Sequence, residues 1–274
     1  MENGEVERSC FNAVNAILNN NRICYGCSHD AELLIKEIFS TANQNPTWNK
    51  FPDFICDNGF IEHFEVTSSY SNRNGSTMKR ELDCLKKEVK TKDEALKAEV
   101  EVTPCYEGKT ITTDTWHSDH SYDYFCISFK RAWDNHIEKY DKYNGDKSKS
   151  VFMIQYNDSA LVTGAVLPDI KTGIYYGELL KQPDYNGYRL IYDNELLEYI
   201  YQYKDKIRYV AFFNNDWFHG KKCDIICVEI IPEILKIVKG KYMFHCAKVG
   251  TSCTTHVISI PNSIIEGNDS NDQS

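Results

Sequence analysis

Two acids flank the turn-forming triplet Asp57-Asn58-Gly59: Asp53 precedes it and Glu65 follows it. Apolar residues on both sides of the Asn-Gly step predict two short strands joined by a tight turn, with Asp53 on the first strand and Glu65 on the second. Residues two apart in a strand share a face, so His63, Glu65 and Thr67 are expected to point one way, with Phe64 and Val66 toward the core. Two carboxylates from paired strands then converge at a sheet edge. The chemistry that calls for two anions at one point is capture of a hard divalent cation. His63 shares the face of Glu65 and reads either as a local acid or base or as a histidine satisfied by a neighbouring strand.

At these residues the chain resembles the restriction-endonuclease-like superfamily with its PD-(D/E)XK signature. Pro52-Asp53 matches the first half and Glu65-Val66-Thr67 falls where the second half lies. The resemblance implies a divalent-metal-dependent nuclease that hydrolyses DNA phosphodiester bonds, in restriction or defence. It implies Mg2+ or Mn2+ held by Asp53, Glu65 and the main-chain carbonyl of Val66. The family's lysine is replaced by Thr67, whose hydroxyl can orient a water but carries no charge. Some members move that lysine to a neighbouring helix; Lys139 is the candidate here and Lys130 the reserve. An acid on the first core helix often holds the metal through water, which points to Glu32, with Glu37 as substitute; a solvated glutamate is the equal alternative.

The elements that must position these groups are legible as patterns. Residues 9–19 read as an amphipathic helix, and Ser28-His29-Asp30 caps a second one whose stripe is Leu34, Ile35, Ile38 and Phe39. A mixed Lys and Glu pattern predicts a charged, self-supporting helix over 76–100, and residues 101–128 read as irregular or as short strands. Phe129, Trp133, Ile137 and Tyr140 make the core stripe of a helix over 129–143, followed by the apolar strand 151–156. A helix over 195–203 and apolar strands at 209–213 and 223–231 complete the set. The expected fold is α/β, a central mixed sheet flanked by helices. It forms a single domain over 1–262, with a charged helical insertion at about 68–128 and a polar, disordered tail at 263–274.

Composition narrows the alternatives. The chain has 274 residues with a formal net charge of −9, which argues against a protein that coats nucleic acid without specificity and leaves room for a local basic face. No apolar stretch is long enough for a membrane span and no signal sequence opens the chain, so a cytoplasmic protein without membrane contact is expected. The 11 cysteines then read as reduced thiols. Cys24 and Cys27 with His29, and His117 and His120 with Asp123, are each partial zinc patterns. Three functional classes remain open: a DNA-cleaving enzyme, for which a homodimer is the arrangement that double-strand cutters commonly use; a catalytically inactive nuclease-fold module that binds a partner; and a zinc-stabilised structural protein.

Overall fold

The computed structural model describes residues 4–20, 24–26, 29–47, 50–72, 75–101, 107–117, 120–168, 175–179, 187–216 and 220–259. The expected tail at 263–274 and Cys27 lie outside them. The chain divides into two compact units: residues 1–71 with 120–247, and residues 72–119 with 248–274.

The first unit is built on a seven-stranded mixed sheet. In chain order the strands of the whole protein are β1 (Cys24–Gly26), β2 (Asn43–Gln44), β3 (Phe54–Cys56) and β4 (Gly59–Val66), with β5 (Ser71–Asn72) and β6 (Gly75–Ser76) forming a separate short ribbon. After β7 (Glu107–His117) come β8 (Lys149–Tyr156), β9 (Leu161–Pro168), β10 (Tyr175–Leu179), β11 (Tyr209–Asp216), β12 (Gly220–Cys227), β13 (Tyr242–Cys246) and β14 (Val249–Ser259). The sheet order is β1-β12-β11-β8-β4-β3-β2. Strands β4, β8 and β11 run parallel, whereas β2, β3 and β12 are antiparallel to their inner neighbours. Strands β9, β10 and β13 form a smaller antiparallel sheet.

Both faces of the large sheet are covered, so the fold class expected from the sequence is the one observed. On one face, α1 (Glu5–Asn19) and α2 (His29–Thr41) bury Cys10, Val14, Leu18, Ile35, Ile38 and Phe39 against Ile61, Val151, Met153, Ala211 and Phe213. On the other, α4 (Tyr122–Lys142), α5 (Asn194–Tyr201) and α6 (Ile231–Val238) cover Phe60, Phe64, Phe152, Ile154, Val210 and Phe212. Helix α4 starts where Ser121 caps it, its hydroxyl accepting from the Tyr124 amide at 3.0 Å. Trp133 and Phe129 of its stripe are fully buried, and side chains of this kind contribute about 1.5–3 kcal/mol each on burial.

The β3–β4 hairpin turns at Asp57-Asn58, with Asn58 left-handed at φ 63°. Gly59 follows because β4 passes so near β8 there that a Cβ would collide with the Lys149 carbonyl.

Three boundaries differ from expectation. The run 223–231 is not one strand: β12 ends at Cys227, and a 3-10 turn leads into α6, whose first turn carries Pro232. Helix α4 begins at Tyr122, and Glu107–His117 is a long strand, not an irregular segment. The insertion is therefore narrower than 68–128, and the strand β14 joins it. In that second unit α3 (Thr77–Glu101) buries Met78, Leu85 and Leu96 and packs on the β7–β14 ribbon.

Candidate functional site

Strand β4 carries Glu62, His63 and Glu65 through a sheet buried on both sides. Alternation sends Glu62 to the α4 face, with Phe60 and Phe64, and sends His63 and Glu65 to the α1/α2 face, with Ile61. Asp53 lies just before β3, opposite Glu62, where regular pairing of β3 with β4 stops. A reciprocal clamp replaces the missing ladder bonds. The Asp53 amide donates to Glu62 Oε2 at 3.0 Å, and Asp53 Oδ2 accepts from the His63 amide at 2.7 Å.

Helix α4 closes the acid pair from above. His136 Nδ1 lies 2.6 Å from Glu62 Oε1, and Lys139 Nζ lies 3.4 Å from the same oxygen. One turn of helix sets that spacing, since residues three apart share a face. Phe64 stacks on the His136 ring at a centroid distance of 4.6 Å and fixes its plane. Glu62 is 2% exposed, whereas the Lys139 side chain is half-exposed and opens the cluster to solvent.

The electrostatics follow from burial. Desolvation first, then the Glu62 charge, pushes the Asp53 carboxyl up to about 7. Desolvation likewise lifts Glu62 to about 7 against the opposing pull of Lys139. His136 is held down to about 4 by burial and by Lys139, and burial also lowers His63. A pair of buried acids this close titrates as one unit. Its ionised form calls for a cation beyond Lys139.

On the opposite face a second polar chain crosses the sheet. His63 Nε2 donates to Gln155 Oε1 at 2.9 Å, and Gln155 Nε2 donates to Asn157 Oδ1 at 2.8 Å. Asn157 Nδ2 in turn donates to Glu65 Oε1 at 2.9 Å.

The expected site residues are thus distributed. The structure joins Asp53 to Glu62, an acid outside the expected site, and brings Lys139 to that pair. Glu65 is exposed and bonded to Asn157 on the other face from Glu62. The Thr67 hydroxyl donates to Asp158 at 2.6 Å, and the main chain of Val66 lies in the β4–β8 ladder. Glu32 pairs with Lys36 at 2.6 Å within α2, Glu37 with Lys149 at 3.0 Å, and Lys130 with Glu195 at 2.6 Å. The His117 and His120 pattern does not form on a helix: His117 ends β7, and His120 Nδ1 lies 2.9 Å from the Ser68 hydroxyl.

Among the described residues no group of three or more His, Cys, Asp or Glu side chains is arranged to hold a metal ion. The Asp53 and Glu62 carboxylates fit the sparser requirement of Mg2+, which takes one or two carboxylates and completes its shell with water and phosphate oxygens. No helix among the described residues is long and apolar enough to cross a membrane. Comparison with known proteins returns no matching family model, no matching characterised protein and no matching solved structure.

Proposed function

We propose that this protein is a divalent-metal-dependent nuclease whose centre is the Asp53–Glu62 pair rather than Asp53 with Glu65. The observation that carries the reading is that pair itself: two carboxyls at the mouth of a hairpin, both pushed up to about 7, with Lys139 at 3.4 Å. The succession of α2, the β2–β3–β4 meander, α4 and the parallel strand β8 supports it. The restriction-like resemblance implies an acid-bearing hairpin, then a helix, then a buried strand.

Asp53 and Glu62 would hold Mg2+ or Mn2+, which when bound lowers the pKa of a coordinated water and offsets charge on the scissile phosphate. The residues of the chain do the rest. The clamp to the His63 amide fixes the Asp53 carboxylate, and His136 orients Glu62. Lys139 supplies the positive charge that Thr67 lacks, from the helix where the resemblance allows it to migrate. DNA is the proposed substrate.

The test is Mn2+ titration by calorimetry, together with cleavage of a supercoiled plasmid. Wild-type protein should bind Mn2+ and nick DNA, and Asp53→Asn and Glu62→Gln should do neither. Cleavage undiminished in both variants overturns the reading.

A second reading, an inactive nuclease-fold binding module, is favoured by one contact. The Thr67 hydroxyl at the position of the family lysine is committed to Asp158. DNA binding with no Mn2+ heat would select it.

A further inference from the structure

We propose that the carboxyl ends of β4, β8 and β11 form a pyrimidine-nucleotide site, with the base read by Asn157 and Asn215 and the phosphate met by Lys221. The inference deepens the nuclease reading and rests on it for the choice of nucleic acid as ligand.

In open α/β sheets, ligands settle beyond the carboxyl ends of parallel strands. Here three adjacent strands, β4, β8 and β11, end together. Along the α1/α2 face each strand changes character at that end. Apolar Ile61, Met153 and Phe213 give way to Glu65, to Gln155 and Asn157, and to Asn215. Glu65 is exposed, and Asn157 and Asn215 are half-buried. Opposite Asn215 in the β11–β12 ladder stands Lys221, exposed and on the same face.

The hydrogen bonds within this row set what remains to be offered. Asn157 Oδ1 accepts from Gln155 Nε2 at 2.8 Å and from Asn215 Nδ2 at 3.1 Å, which fills both of its lone pairs. Asn157 Nδ2 gives one hydrogen to Glu65 Oε1 and, among the described residues, keeps one. Asn215, among the described residues, has given one amide hydrogen and retains the other together with its carboxamide oxygen. Two adjacent side chains therefore present two donors and one acceptor. Their complement is an edge with two acceptors and one donor, which uracil and thymine carry as two carbonyls and one N–H, and cytosine as O2, N3 and an amino hydrogen. On the Watson–Crick edge guanine offers the opposite balance, two donors and one acceptor, and adenine only one acceptor and one donor. Glu65 and Gln155 act as positioning residues that hold the Asn157 amide in one orientation. Lys221, opposite Asn215 in the ladder and exposed on the same face, is the cation that a backbone phosphate of the same nucleotide would meet.

Fluorescence anisotropy in EDTA tests this without cleavage, using dye-labelled oligothymidylate and oligodeoxyadenylate of equal length. Oligothymidylate is expected to bind about tenfold more tightly, the discrimination typical of one good base contact. Asn215→Ala and Asn157→Ala should abolish that preference, and Lys221→Ala should weaken both oligomers alike. Asn215→Asp preserves shape, so its loss of preference with an unchanged circular dichroism melt separates loss of the site from unfolding. Equal affinity for the two oligomers, no binding of either, or a preference that survives in Asn215→Ala overturns the proposal. Failure of the nuclease reading is visible separately: protein that keeps the thymine preference but neither cleaves nor binds Mn2+ retains the base site and loses the metal centre.

Discussion

The Asp53 amide donates to the Glu62 carboxylate at 3.0 Å, directly opposite it across the mouth of the hairpin. An acid side chain thereby does the work of a strand carbonyl. The arrangement ties the chemistry of the pair to the integrity of the β3–β4 ladder.

The pair should make stability depend on pH in a stated direction. Asp53 and Glu62 have folded pKa values of about 7, above their reference values of 3.8 and 4.5. Between about pH 4 and 7 the folded protein thus binds more protons than the unfolded chain. This contribution is fully present below that window and is lost as pH rises through 7. His136, lowered from 6.5 to about 4, acts in reverse and loses stability as pH falls through that range. Glu62→Gln removes one acid limb. Urea unfolding should show the variant gaining about 1–2 kcal/mol on wild type at pH 8 relative to pH 5. A difference independent of pH would contradict the assignment.

Lys139 touches Glu62 from a half-exposed position, so its charge should matter more to chemistry than to folding. Lys139→Met is expected to lower cleavage by about a hundredfold while leaving the melting temperature nearly unchanged. Full activity in that variant would return the charge-supplying role to another residue.

Restoring the family lysine at Thr67 should not activate the protein. The Thr67 hydroxyl and the Ser68 amide and hydroxyl all converge on Asp158 Oδ2, at 2.6, 2.6 and 3.1 Å, and the Thr67 amide donates to Ser128. Thr67→Lys breaks one of these bonds just beyond the carboxyl end of β4, away from Glu62 in the interior of that strand. Asp158→Ala strands three donors and is expected to cost about 3 kcal/mol or more, read by chemical denaturation. Thr67→Lys with raised cleavage would argue that Glu65, not Glu62, is the metal acid.

Gly59→Ala tests the packing that holds β4 beside β8. The added methyl meets the Lys149 backbone carbonyl, which cannot rotate away, so a loss of about 2 kcal/mol is expected in the unfolding free energy. An unchanged midpoint would mean that the strands separate freely at that point.

Much of this was written in local pattern. The Asn58-Gly59 turn, the stripe Phe129, Trp133, Ile137 and Tyr140, and the apolar runs of β8 and β11 each announce their element, and the mixed sheet with helices on both faces follows from their order. The acid partner of Asp53 was not. Assigning Phe64 and Val66 to the core left Glu65 as the outward acid, on the premise that a strand has one buried face. Strand β4 lies inside the sheet with helices over both faces, so Glu62 is buried among the same residues that seemed to exclude it. The end of β12 was obscured because Val228, Ile230 and Ile231 continue its apolar run into a helical turn. The partner of β7 left no local mark, since threonines spaced along an extended segment say nothing about which distant segment will meet them.

That last pairing reaches far along the chain: Thr112 bonds Thr254 across a sequence separation of 142 residues. During synthesis β7 therefore leaves the ribosome long before its mate exists, and waits as a bare ribbon edge while the other unit is still being made. Slow, late closure is the expected kinetic outcome. Nascent protein arrested before β14 should be the species most prone to chaperone capture or self-association.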